Sequence, residues 1–208
     1  MISLPADDSR FVSRALSALM AQLVHTAWSS VKKRNSSLRR LALAQLDSTN
    51  LDDTVFARYV IKLTIQHFLP IALRTAAIAH PQIRQREALE LVAQLCEAKP
   101  EQATVETAAH AAQAAEKAAQ NAWAEVAGRA AQVAARAARL IEAACKETDG
   151  AVATHSTAEA LTWIALAQTE SKMNERAGDE IQADFAENVV RILFLMRAPG
   201  CIWLGQME

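Results

Sequence analysis

Alanine is the residue that most constrains how this chain can fold. It fills 45 of the 208 positions, whereas glycine and proline, which interrupt helices, occur five times each. Alanine has the highest intrinsic helix propensity of the common residues. β-Sheet proteins need many β-branched and aromatic positions, and aromatic residues make up only 5% of this chain. The composition therefore predicts an all-α protein, which we expect to be one compact bundle of seven or eight helices.

The alanines are concentrated between Ala103 and Ala144, where they fill 20 positions. A single helix over this stretch would be about 60 Å long, which is too long for a compact domain of this size. We expect it to break at Gln120–Asn121, because asparagine is a poor helix former, with Gly128 as a second candidate. Small side chains let neighbouring helices approach closely, so these helices are predicted to be central in the bundle.

Local signals predict where other helices begin and end. Asp7, Asp8 and Ser9 are suited to cap a first helix. Pro70 lacks a backbone N–H and should kink or divide the helix that contains it. Pro81 is expected at the first position of the next helix, where proline is favoured.

Two further boundaries follow from glycine and proline near the end of the chain. Gly150, after Asp149, is expected to end a helix in the left-handed conformation. Pro199 and Gly200 break the last helical pattern, so residues 195–208 are predicted to be a non-helical tail. Trp203 in this tail should either dock on the body or be exposed.

The net charge of −1 hides an asymmetry between the two halves of the sequence. Residues 1–100 carry 13 basic and 8 acidic side chains, a balance of +5, and residues 101–208 carry 9 and 15, a balance of −6. The acidic residues near the C-terminus predict a patch that attracts a basic protein partner, although an ordinary solvated helix face would have the same pattern. With Trp203, the predicted contact residues are Glu175, Asp179, Glu180, Asp184 and Glu187.

Cysteine use and hydropathy predict a cytoplasmic protein. Cys96, Cys145 and Cys201 are odd in number and far apart, which fits neither a disulfide framework nor a zinc site. The first residues lack the basic and apolar segments of a signal peptide. The most apolar stretch, residues 59–79, is interrupted by charged residues and a proline, so no membrane association is expected.

Two His/Glu pairs are the strongest candidates for a metal-binding or catalytic site. Glu106 with His110, and His155 with Glu159, are four residues apart, a spacing that places both side chains on one helix face. If the two helices faced each other, the four groups could bind a metal ion, which defines a metal-dependent enzyme as an alternative function. Helix-surface contacts have the same spacing, and the Glu-x-x-His repeat of di-metal bundles is absent from the sequence.

Other catalytic and binding motifs are missing. The sequence has no Gly-x-Ser-x-Gly elbow and no phosphate-binding glycine loop, so we expect binding without catalysis and no cofactor. The basic run Lys32–Arg40 could contact phosphates, but it lacks interleaved aromatic residues. It is predicted to be a solvated loop between helices, which argues against nucleic acid as a partner.

Four segments together are similar to one protein family. Leu69–Leu73, His80–Glu90, Ala103–Ala112 and Gly150–Ala158 resemble the immunity protein five-like family, the immunity proteins of bacterial polymorphic toxin systems. The resemblance covers residues 69–194, leaving residues 1–68 and the tail outside it within one predicted domain. It implies a cytosolic helical protein that neutralises a protein partner, such as a basic toxin domain, by stoichiometric binding. Glu159 occupies the position of a second histidine in the family pattern. A structural or homo-oligomeric helical module remains a further alternative.

Overall fold

The computed structural model describes residues 12–98, 104–172 and 175–206, and these residues form an all-α bundle. The predicted fold class is therefore confirmed. The described residues contain nine α-helices and no β-strand, and α3 and α4 form one interrupted helix. In chain order the helices are α1 (Arg14–His25), α2 (Val31–Ala44), α3 (Asp53–Leu63), α4 (Leu69–Ala79), α5 (Ile83–Glu97), α6 (Val105–Asn121), α7 (Glu125–Lys146), α8 (Gly150–Lys172) and α9 (Glu175–Leu195).

The alanine-rich stretch forms the α6–α7 hairpin. The predicted break is confirmed, because α6 ends at Asn121 and α7 begins at Glu125. Alanine makes up most of the buried face of both helices, so their backbones pack closely against each other. On its other sides α7 contacts α4 and α8, which places it inside the bundle.

The centre of the bundle lies around α8, which packs against α1, α3, α4, α7 and α9. Larger side chains fill the space beside it, and the rings of Phe68 and Phe185 meet edge to face with centroids 5.4 Å apart. Phe68 ends a π-helical turn, Thr64–Phe68, that joins α3 to α4. Pro70 follows in the first turn of α4, which confirms that the helix is interrupted there.

The basic run Lys32–Arg40 is helical, and the prediction of a loop is wrong. The α2 helix begins at Val31, because the Ser30 hydroxyl accepts a hydrogen bond from the backbone N–H of Lys33, a 3.1 Å N-cap contact. Leu38 and Leu41 are buried and hold the second half of α2 on the body. The helical propensity of lysine, arginine and leucine therefore outweighs the polarity of the run.

One further predicted helix start requires correction, and another falls on residues that the structure does not describe. The Ser13 hydroxyl caps α1, and the expected caps Asp7, Asp8 and Ser9 lie outside the described residues. The α5 helix begins at Ile83, two residues after Pro81.

Buried contacts explain the later start of α5. The Nδ1 atom of the buried His80 accepts the N–H of Gln82, and its Nε2 atom donates to the carbonyl oxygen of Ala118 in α6, at 3.1 Å. The side-chain amide of Gln82 donates a hydrogen bond to the carbonyl oxygen of Asn121. These contacts fix the chain between α4 and α5 against the C-terminal end of α6, so helical geometry resumes only at Ile83.

The prediction that Gly150 ends a helix is wrong, because it begins one. No described glycine has a positive φ, and Gly150 is the first residue of α8 instead of a left-handed cap of α7. The Asp149 carboxylate accepts the N–H groups of Ala151 and Val152, so it caps the start of α8. Glycine is required here because a Cβ atom would overlap the carbonyl group of Asp53 and lie 2.8 Å from the backbone nitrogen of Thr54. The two helix starts of α3 and α8 are therefore in backbone contact.

The predicted non-helical tail is also wrong. Residue 195 ends α9, and Pro199–Gln206 form a 3-10 helix that packs on α2 and α9. Gly200 permits this contact, because a Cβ atom there would lie 2.6 to 2.7 Å from carbonyl oxygens at the end of α2. Cys201 and Leu204 are buried in the contact.

Candidate interaction surfaces

Asp179 is buried, with 1% of its surface exposed, so it is not part of the predicted acidic patch. Its carboxylate accepts hydrogen bonds from the backbone N–H of Ser29, at 2.9 Å, and from the Ser29 hydroxyl. Gln182, one turn later, bonds to Thr26 and to the carbonyl oxygen of Ala27. The prediction that Asp179 contacts a partner is wrong, because this carboxylate holds the α1–α2 connection against α9.

The other acidic residues of α9 divide into two groups. Glu180 and Asp184 are exposed, whereas Glu187 is half-buried and pairs with Arg40 of α2 at 2.8 Å. The side chain of Glu175 lies outside the part of the chain that the structure describes. The acidic surface is therefore smaller than the sequence predicted, and the cationic helix α2 lies beside it.

Trp203 is half exposed on the 3-10 helix. Ile202 beside it is 72% exposed, while Cys201 and Leu204 face the body. The segment thus docks on α2 and still presents an indole ring to solvent.

The four candidate metal ligands do not converge. Glu106, His110 and His155 are exposed, and Glu159 pairs with Arg136 at 3.5 Å. The helices that carry the two pairs, α6 and α8, both pack on α7. In the described ranges, no three His, Cys, Asp or Glu side chains form a group that could hold a metal ion.

The cysteines lie in apolar surroundings that disfavour the thiolate. Burial raises the pKa of the Cys96 thiol to about 12 and that of Cys145 to about 11. Because the thiolate is the nucleophilic form of cysteine, neither group is set up for nucleophilic catalysis.

Several arginines form ion-pair networks between helices. Arg74 of α4 pairs with Glu90 and Glu97 of α5, and Arg139 of α7 pairs with Glu116 of α6 at 2.7 Å. The hydrogen bond from Arg74 lowers the pKa of Glu97 below its ordinary value of 4.5. These partly exposed networks orient neighbouring helices and leave their charges satisfied.

An apolar surface that the sequence did not predict lies at the C-terminal end of α4. We call it the Ile78 surface and define it by Ile78, Ile83, Leu91 and Val126, which are 81%, 63%, 59% and 74% exposed. Ile78 lines two neighbouring open grooves. One groove, of about 750 Å³, runs between α4 and α5, and the other, of about 690 Å³, lies between α4, α7 and α8.

One sequence signal could have revealed this surface. Arg74 and Ile78 are four residues apart on α4 and therefore share a helix face. A charged residue on that face indicates that it meets solvent, which makes Ile78 an exposed apolar residue. The apolar residues Ala76, Ala77 and Ala79 on both sides of Ile78 obscured this signal.

No family model, no curated protein and no solved structure matches this chain. Within the described residues, no helix combines the length and the apolar character that crossing a bilayer requires.

Proposed function

We propose that this protein binds another protein stoichiometrically, as the resemblance to immunity proteins implies, and that the partner contacts the Ile78 surface. The observation that carries the proposal is the group of four large apolar side chains left more than half exposed around Ile78. They present on the order of 500 Å², near the upper end of the largest apolar patch that a monomer usually exposes.

The arrangement of charge around these side chains fits a protein interface. Exposed Arg86 and Glu87 line the α4–α5 groove together with Ile83 and Leu91, so an apolar centre has a charged rim of both signs. Protein interfaces have this anatomy, and a standard one buries about 800 Å² on each partner. The four apolar side chains with this charged rim match that anatomy.

The grooves are less suited to a small molecule. Small-molecule sites are concave and place a few convergent polar groups at fixed positions. Among the described side chains, the buried polar atoms without a hydrogen-bond partner are Asp53 Oδ1 and Thr154 Oγ1, and neither residue lines these grooves. The occupant that fits best is therefore an apolar patch of a second protein with charged residues at its edge.

Site-specific photocrosslinking in the native host tests the proposal. A photoreactive amino acid is placed at Ile78 or Val126, and at the exposed Lys117 of α6 as a matched control. We expect one protein to be crosslinked from positions 78 and 126 and not from 117, and to bind the purified chain with 1:1 stoichiometry.

Three results would contradict it. Capture of the same protein from all three positions would indicate non-specific contact. Crosslinks only between copies of this chain would identify the surface as a homo-oligomer interface. Binding that is unchanged by Ile78→Asp but slowed by Glu180→Lys with Asp184→Lys would move the interface to the acidic face of α9.

A further inference from the structure

The most cationic helix of the fold, α2, has a face that the proposed function does not use. It carries five lysine or arginine residues and no acidic residue. Lys32, Lys33 and Arg39 are exposed and have no ion-pair partner among the described residues, whereas Arg40 is neutralised by Glu187. The sequence from Ser9 to Leu46 contains no aspartate or glutamate, so the acidic side chain that pairs with α2, Glu187, belongs to α9.

The position of these cations works against helix stability. The N-terminus of a helix carries a partial positive charge, and acidic residues are favoured in its first turn. The first turn of α2 has none, and it places Lys32 and Lys33 there instead. A local arrangement of charge that opposes helix stability is one of the departures from local rules that occur at functional sites.

The exposed part of α2 also has the side chains that contact phosphates. Its first two turns are mostly exposed, although Arg34 donates to the carbonyl oxygen of Val24, and they present Asn35 and Ser36 between the cations. Lysine, arginine, serine and asparagine are the usual contacts to nucleic-acid phosphates. The face is nearly free of apolar groups, Val31 excepted, whereas an interfacial membrane helix needs a broad apolar face directed at the lipid.

We propose that the exposed face of α2 binds the phosphate backbone of duplex DNA without sequence specificity. The helical structure of Lys32–Arg40 removes one reason against nucleic acid, the expectation of a loop. The other, the lack of interleaved aromatic residues, argues against stacking on single-stranded bases and not against contacts with duplex phosphates. Lys32 and Arg39 are seven residues apart, about 10 Å along the helix. One strand of B-DNA has about three phosphates in that length, so α2 contacts about three phosphates.

The salt dependence of duplex binding measures the number of phosphates that α2 contacts. With about three phosphate contacts, the logarithm of the association constant falls against the logarithm of the salt concentration with a slope of about −3. Affinity for a fluorescent duplex of about 20 base pairs then changes roughly 20-fold between about 50 and 150 mM NaCl, measured by anisotropy.

Two double variants with equal charge changes separate a local contact from bulk charge. Lys32→Glu with Lys33→Glu removes two contacts, so binding weakens at least tenfold and the slope falls to about −1. Lys62→Glu with Lys117→Glu changes exposed lysines of α3 and α6 and leaves the affinity within about threefold. The first variant stays folded, because glutamates in the first turn of α2 improve the interaction with the helix dipole. Arg39→Glu, on the same face, is a second variant with the same expected direction.

The opposite outcomes overturn the proposal. They are an absence of duplex binding at low salt, an equal loss in both double variants, or binding to phosphatidylglycerol vesicles without binding to the duplex. Ile78→Asp leaves duplex binding unchanged if the two surfaces are separate, so this proposal and the proposed protein interface fail independently.

Discussion

Replacing Gly150 by alanine tests the close contact between the starts of α3 and α8. The new Cβ atom would overlap the carbonyl group of Asp53 and lie 2.8 Å from the nitrogen of Thr54, and both neighbours are backbone atoms that cannot rotate away. Overpacking of this kind costs about 1–3 kcal/mol. The higher helix propensity of alanine returns less than about 1 kcal/mol, because Gly150 is the first residue of α8. We expect a net loss of about 1–2 kcal/mol.

Gly128→Ala is the matched control, with an expected change of opposite sign. Gly128 lies inside α7, and its Cβ atom would meet the Cβ of Ala122 at 3.6 Å, an ordinary contact. The substitution should stabilise the protein by about 0.5–1 kcal/mol through helix propensity.

Thermal unfolding followed by circular dichroism measures both variants. For a protein of this size, 1 kcal/mol corresponds to about 2–4 °C in Tm. Gly150→Ala should therefore lower Tm by about 2–8 °C, and Gly128→Ala should raise it by about 1–4 °C. A Gly150→Ala protein as stable as the wild type would refute the backbone contact between α3 and α8.

Three further substitutions test other contacts of the fold. Gly200→Ala should separate the 3-10 helix from the end of α2, because the Cβ atom would lie within 2.7 Å of three carbonyl oxygens. We expect faster proteolysis near the C-terminus, and an unchanged cleavage rate would contradict the contact. Asp179→Ala removes the buried carboxylate that accepts two hydrogen bonds from Ser29, and bonds to a charged group should make this cost about 1.5–3 kcal/mol in urea unfolding; an unchanged midpoint would argue against these bonds. Arg74→Met should make stability less sensitive to acid. The hydrogen bond from Arg74 lowers the pKa of Glu97 in the folded state, so this pair stabilises the protein above about pH 4.5. The stabilisation is lost as the pH falls through the lowered pKa. Unfolding curves of wild type and variant below pH 4.5 measure this difference, and parallel acid dependence would exclude the Arg74 contribution.

Helix interruptions were predictable from the sequence because single residues determine them. Asn121 ends α6 and Pro70 follows the π-helical turn before α4, and both effects act within one turn of the chain. The start of α2 was also encoded locally, in the Ser30 cap. The polarity of the residues that follow this cap predicts a loop, whereas the helix propensity of lysine and arginine predicts the helix that forms.

The candidate surfaces depended on contacts between distant residues, which the sequence pattern does not contain. Asp179 belongs to an acidic run, yet it is buried because Ser29, 150 residues earlier in the chain, meets it as a hydrogen-bond donor. Ile78 lies in an apolar run and is exposed because α5 and α7 leave that face of α4 uncovered. Charge alone therefore assigned Asp179 to the wrong environment, and hydropathy alone gave no sign that Ile78 is exposed.

A calorimetric titration of the partner captured from position 78 tests the central claim most directly. Interface centres contain residues whose truncation costs 2 kcal/mol or more, which corresponds to about a 30-fold change in Kd. The proposed interface predicts one partner per chain, a Kd at least 30-fold weaker for Ile78→Asp, and an unchanged Kd for Lys117→Asp. Equal affinity of the wild type and Ile78→Asp, with the fold of both intact, would contradict it.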